Sequence, residues 1–188
     1  MRKKIKHYLQ VGNKIDVNLR TKNDNKLGYF KIEIIDAISP FFFDDNKKLN
    51  CLFSSLNLLK TLLPEMQRYN SIYVLFSNFL NELKFSNNWI IHYIFWEMNL
   101  LREIGFDMNL ISNSVSKLNS EKKMITVIID NEKINIPSFM VEKKFENFDT
   151  KSIYYALKFI GKFLEKKILI PNNLNYPISR KNLENCFR

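Results

Sequence analysis

Between Trp89 and Phe106 the chain reads WIIHYIFWEMNLLREIGF, and no other stretch limits the fold as much. On a helix, at 100° per residue, Ile90, Tyr93, Ile94, Leu100, Leu101 and Ile104 share one broad arc. His92, Asn99, Arg102 and Glu103 take the opposite side. An apolar arc this wide predicts a helix largely enclosed by its neighbours. Glu97 falls in the middle of that arc. A carboxylate there requires a hydrogen-bonding or cationic partner, because an unpaired buried charge is very costly. No second acid, histidine or metal-ligand pattern accompanies it, so Glu97 reads as a structural buried carboxylate rather than a catalytic one. Gly105 supplies the C-terminal stop.

The rest of the chain is consistent with a helical core around this element. Of the 188 residues, 46% are apolar, with sixteen Phe and eight Tyr, enough to build one core or a core with a small appended domain. Only four Gly and five Pro interrupt it. The net charge of +10 attracts polyanions, whether nucleic acid or an acidic membrane surface. No apolar run reaches the length of a membrane span, and the start MRKKIKHYLQ lacks the apolar centre of a signal peptide. Cys51 and Cys186 stand alone, without the spacing of a zinc site or a disulfide framework, which predicts a reducing, cytoplasmic setting. The chain has no glycine-rich phosphate loop, no HExxH and no nucleophile elbow, so an enzyme is not expected.

In chain order, residues 1–10 are basic and Val11-Gly12-Asn13 reads as a turn. Lys14 to Thr21 alternates apolar and polar with period two, and Gly28 to Ile35 supplies a second strand, predicting an antiparallel pair. Two strands are marginal in water and leave open edges, which predicts that something upstream is missing. After Ser39-Pro40 the pattern turns helical. Leucines recur from Leu49 to Leu63 until Pro64, a second helix runs from about Ser71 to Lys84, and the Trp89 helix is the third. Met124–Ile129 and Lys133–Ile136 flank Asp130-Asn131-Glu132 as a short hairpin or a loop with extended arms. Asp149 or Thr150 caps a fourth long helix with Ile153, Leu157, Ile160 and Leu164 inward. Its other face collects Lys151, Lys158, Lys162 and Lys166, with Tyr155 among them. Ser179 is expected to cap a short last helix carrying Arg180.

Five short motifs, in order, resemble the RecO family of recombination mediators. Leu9-Gln10-Val11-Gly12-Asn13 is similar to the family's L-Q-x-G-N opening of the penultimate strand of an N-terminal OB barrel. Leu27-Gly28-Tyr29-Phe30 resembles the start of the last barrel strand. Phe95-Trp96-Glu97, Leu100-Leu101 and Gly105-Phe106 look like the F-E-x-x-L-L-x-x-x-G-Y/F helix. Ile136-Pro137-Ser138-Phe139-Met140 resembles I/L-P-x-F-L, and Tyr176-Pro177-Ile178-Ser179-Arg180 resembles the terminal P-x-S-R helix start. The resemblance omits the family's beginning, since an OB fold needs five strands and only two are placed before Pro40. Many family members also carry a four-cysteine zinc knuckle after the Gly-Phe helix end. Here Asp107 to Ser116 has no cysteine, so zinc is not expected and no cofactor is assigned.

The resemblance implies an α+β, mainly α protein: a partial OB-fold remnant of two strands in residues 1–38, which do not close a barrel, then a helical domain in residues 39–188 with a short hairpin insertion. It implies a bacterial, nucleoid-associated mediator that binds single- and double-stranded DNA, anneals strands, and works with RecR to load recombinase on strands coated by single-strand-binding protein. The family recognises that protein's acidic C-terminal tail through its helical domain. Candidate DNA-binding residues are Lys3, Lys4, Lys6, Lys14, Arg20, Lys22 and Lys31, with Tyr8, Tyr29 and Phe30 nearby for stacking. Lys151, Tyr155, Lys158, Lys162, Lys166 and Arg180 are candidates for DNA or the acidic tail. A lysine-rich outer helix face is also what a merely solvated helix presents. The rival reading is a basic protein–protein or anionic-membrane-surface adaptor, against which the broad apolar arcs argue, because they suit a core.

Overall fold

A computed structural model describes residues 9–21, 28–114, 123–145 and 148–188. Lys3, Lys4, Lys6 and Lys22 lie outside the described residues, as does Tyr8. The architecture is α+β and mainly α, with two separate two-stranded sheets. Strands β1 (Lys14–Arg20) and β2 (Tyr29–Asp36) come first. Helices α1 (Asn46–Leu62), α2 (Asn70–Phe85) and α3 (Trp89–Glu103) follow, then strands β3 (Met124–Ile129) and β4 (Glu132–Pro137). Helices α4 (Ser138–Glu142), α5 (Thr150–Leu164) and α6 (Ile178–Asn185) complete the order.

The period-two alternation sets the β1–β2 register. Ile15 faces Ile34, Val17 faces Ile32 and Leu19 faces Phe30, so six apolar side chains share one face. Asp16 with Glu33, Asn18 with Lys31 and Arg20 with Tyr29 share the other. The hairpin joins the helices at its base. Asn13 Oδ1 accepts from the Ile38 amide at 3.1 Å, and Lys84 of α2 pairs with Asp36. Gly12, at φ +95°, brings the turn close to α1. A Cβ there would stand 2.9 Å from Leu52 Cδ2, so a side chain is excluded twice over, by conformation and by space. Away from the base the strands are open: Leu19, Tyr29 and Phe30 are all exposed.

The core sits among α1, α3, α5 and α6. On α3, Ile90, Ile91, Tyr93, Ile94, Trp96, Leu100 and Leu101 are buried, and Glu97 is buried with them. The helical phase read from the sequence therefore holds. Gly105 (φ +94°) ends the helix in a Schellman motif, donating to Arg102 O at 3.0 Å while Phe106 N reaches Leu101 O at 2.8 Å. α2 lies along α3, with Phe79 stacked on Trp96 at 5.1 Å between ring centroids. α1 and α6 pack together, and β4 packs on α5.

The stretch from Asp107 to Ser114, just after the α3 stop, is held by packing and hydrogen bonds. Met108 and Leu110 are buried, Asn113 Nδ2 donates to Met108 O at 3.1 Å, and Ser114 bridges to Val127. Among the described residues no cluster of His, Cys, Asp and Glu is arranged to hold a metal ion. Asp107 Oδ1 accepts from the Asn109 amide two residues on. This donor set does not fit zinc.

Candidate functional site

Helix α5 positions the site. Asp149 and Ser152 form a reciprocal capping box: Asp149 Oδ1 accepts from Ser152 N at 2.8 Å, and Ser152 Oγ accepts from Asp149 N at 2.8 Å. The bond from the Ser152 amide to the charged form is the largest cause holding the Asp149 carboxyl below the usual range. One face of α5 buries Ile153, Ala156, Leu157, Ile160 and Leu164. Lys151, Lys158 and Lys162 are exposed on the other. The next five residues, Glu165–Leu169, form a π-helical turn, closed by Ile170 N to Glu165 O at 3.0 Å. A π turn spreads more residues around each revolution, so Lys166 and Lys167 lie closer in angle than α-helical neighbours do. Both reach the β3–β4 turn. Lys167 Nζ donates to Asp130 Oδ1 at 2.6 Å, and Lys166 Nζ stands 3.7 Å from Glu132 Oε2.

The hairpin and α5 thereby enclose a groove of about 490 Å³. Ile129, Ile134, Phe159 and Phe163 give it apolar lining. Tyr155, Lys158, Lys162 and Lys166 border it from the helix, and Asn135 from the strand. A more open recess of about 800 Å³ lies beside it, along Gly105–Asn109 and Ser112–Ser114. The two share Ile129, Asp130, Phe163 and Lys167, so the Lys167–Asp130 pair stands at their common border. An apolar trough rimmed by lysines suits a ligand that carries both an apolar side chain and carboxylates.

Of the residues expected here from sequence, Tyr155, Lys158, Lys162 and Lys166 come together. Lys151, the second residue of the helix, is exposed but does not line the groove. Arg180 is elsewhere altogether. It is fully buried: its Nε donates to Glu97 Oε1 at 2.8 Å and its Nη2 to Leu157 O at 2.7 Å, while the guanidinium carbon stands 5.9 Å from the Tyr93 ring centroid. The expectation that Arg180 serves DNA or an acidic tail is therefore corrected, since its charge is spent inside the core. Ser179 does not cap α6 either. Pro177 holds that position, and Ser179 Oγ accepts from Asn57 Nδ2 at 2.9 Å. Burial pushes the Glu97 carboxyl up while Arg180 pulls against it. For Arg180, burial alone would lower the pKa, but Glu97, Tyr93 and Tyr176 together outweigh it and the net direction is up. Tyr176, beside them, is pushed up to about 12 by burial.

Two of the strand-pair residues share one face. Lys14, Arg20 and Lys31 are exposed, and Arg20 and Lys31 share the polar face of the hairpin with Tyr29. Acids are interleaved with them: Lys31 Nζ lies 2.6 Å from Glu33, and that contact raises the lysine and lowers the acid. Lys14 Nζ lies 5.8 Å from the Tyr73 ring centroid. Sequence reasoning missed Lys167, Asp130 and Glu132 as members of the groove. The signal was the Asp130-Asn131 pair, whose positive φ values of 52° and 63° make the two-residue turn that folds the acids back over α5.

The model of the recombination protein O C-terminal family matches residues 44–173. The chain belongs to the RecO family. Among its relatives, the DNA repair protein RecO of Ehrlichia chaffeensis is 33% identical over 125 residues, covering 66% of this chain and 51% of that protein. RecO of Anaplasma marginale is 32% identical over 122 residues, 65% of this chain and 50% of the relative. A Wolbachia RecO is 24% identical over 185 residues, 89% of this chain and 77% of the relative. The chain thus spans about half the length of the first two relatives. No solved structure matches. The RecO match encloses the groove-bearing helix α5 and the β3–β4 hairpin, while β1 and β2 precede it.

Proposed function

We propose that this chain works in recombinational DNA repair as a mediator rather than an enzyme. In this reading it binds single- and double-stranded DNA, promotes annealing and, with RecR, helps load recombinase on strands coated by single-strand-binding protein. The acidic, Phe-terminated C-terminal tail of that protein enters the groove between α5 and the β3–β4 hairpin, and the setting is the bacterial cytoplasm near the nucleoid. Family membership supports the repair role. The observation that carries the groove assignment is its composition: Phe159, Phe163, Ile129 and Ile134 for an aromatic terminus, with Lys158, Lys162 and Lys166 for the carboxylates. DNA is assigned to the β1–β2 hairpin through Lys14, Arg20 and Lys31, and the basic sequence nominates Lys3, Lys4, Lys6 and Lys22 for the same role. Tyr29, 63% exposed on the hairpin's polar face, is free to stack on a base. Lys151 extends the positive surface at the start of α5. No described helix is long and apolar enough to cross a membrane.

Fluorescence anisotropy with a labelled aspartate-rich peptide ending in Phe tests the groove. Binding should weaken in Lys158→Glu/Lys162→Glu, and also when the terminal Phe is removed. A peptide that binds both proteins equally would move the tail site off α5. Gel shifts with single-stranded DNA, run in parallel with anionic vesicles, test the mediator role. Binding to vesicles alone would favour the surface-adaptor reading.

A further inference from the structure

Of the three acidic residues lining the groove, Glu165 opens the π-helical turn, while Asp130 and Glu132 stand on the β3–β4 turn, where they already occupy lysines. Asp130 and Asn131 take left-handed conformations, and the turn lays Asp130 on Lys167 at 2.6 Å and Glu132 near Lys166 at 3.7 Å. All four side chains keep contact with solvent, from 37% exposed at Lys167 to 65% at Glu132. Ion pairs in such settings are weak and screened by salt, so another carboxylate can exchange into them. Asp130 and Lys167 also border both recesses at once.

We propose that the Asp130–Glu132 turn is a built-in competitor: it holds Lys166 and Lys167 with its own carboxylates until an acidic peptide displaces it, and its displacement joins the groove to the neighbouring recess. This rests on the acidic-peptide reading of the groove. The turn then acts as a threshold. A ligand with one carboxylate gains little by exchanging one exposed pair for another, whereas an acidic run supplies several charges on one backbone and replaces both pairs together. Moderate salt weakens the internal pairs and the incoming ones alike, so selection follows the density of acidic groups.

The test is Asp130→Asn/Glu132→Gln, in which Asn keeps the left-handed turn available. The probe is the labelled aspartate-rich, Phe-terminated peptide, followed by anisotropy at low salt. The double variant should bind about threefold to tenfold more tightly than the parent, as expected for freeing two exposed pairs. A second pair of substitutions, Glu65→Gln/Glu103→Gln, makes the same change in net charge at exposed positions lining neither recess. The gain should be absent there, and should also vanish when Lys166 and Lys167 are both changed to Gln. Equal affinity of parent and variant, or an equal gain from the remote substitutions, would overturn the competitor and leave the groove standing. Binding by the variant alone would support it in its strongest form. No binding by any of these proteins would overturn the groove reading and the competitor together.

Discussion

Arg180 Nε donates to Glu97 Oε1 at 2.8 Å, joining two buried residues 83 positions apart. The guanidinium is shared with the carbonyl of Leu157, so one side chain ties α3, α5 and α6. A buried pair of this kind adds little over an apolar substitute, but removing one partner strands the other. Glu97→Gln should therefore lower unfolding stability by about 3 kcal/mol, read from urea denaturation. Peptide and DNA binding by the folded fraction should stay unchanged. A variant as stable as the parent would mean that the pair bears no part of the fold's stability.

Gly161 lies in α5 where the Tyr176 hydroxyl crosses it. In an ordinary helix interior, Gly→Ala stabilises by about 1 kcal/mol. Here a Cβ would meet Tyr176 Oη at 2.5 Å. The close contact should win, so Gly161→Ala should lower the melting temperature. Adding Tyr176→Phe, which removes the obstructing oxygen, should recover part of the loss.

Tyr176 also carries a pH signature. Its phenol is pushed from 10.0 to about 12 by burial, with neighbouring acids adding to the rise. Because the folded value is the higher one, the neutral form favours folding. That contribution is fully present below pH 10 and is lost as the pH rises through about 12. Ultraviolet difference titration of the parent against Tyr176→Phe should place the missing phenol at the alkaline end. A difference signal centred near pH 10 would show the ring to be solvated.

Neutralising Lys14, Arg20 and Lys31 together should flatten the salt dependence of single-stranded DNA binding. Each phosphate contact contributes about 0.7 to the slope, so three lost contacts reduce it by about 2. An unchanged slope would move the DNA contact to the Lys158 face of α5.

Hydrogen exchange should divide the molecule. Amides of α3 sit under buried neighbours, whereas among the described residues β1 and β2 pair only with each other, and they expose most of both faces. Strand amides from Lys14 to Asp36 should exchange well before those of Tyr93–Leu101. Equal protection would mean that the two-stranded sheet is a stable module.

How far the sequence reveals this molecule depends on whether a residue's role is local. The phase of α3, the Gly105 stop, the Asp149 cap and the β1–β2 alternation are set by neighbours within a few positions, and each is legible in the chain. Glu97's need for a partner follows from its phase too. The partner's identity does not, because Arg180 opens a short polar helix and looks like a surface cation until the tertiary fold encloses it. The groove is an intermediate case. Tyr155, Lys158, Lys162 and Lys166 share a helical face and are found together, but the second wall comes from a hairpin more than twenty residues upstream. The π turn that aims Lys166 and Lys167 leaves no plain mark in residue type. It shows only in the backbone.

In mechanical terms the β1–β2 hairpin is a cantilever. Seven residues at about 3.4 Å each carry its free end on the order of 20 Å beyond the clamp. The clamp includes the Asn13–Ile38 hydrogen bond, the Lys84–Asp36 pair, the seat of Gly12 against Leu52 and Lys14 over the Tyr73 ring. A pull on Arg20 or Tyr29 therefore arrives at the base as a torque, multiplied by the length of the arm. Leu52 belongs to α1, and Tyr73 and Lys84 to α2, so the load passes directly into the helical body.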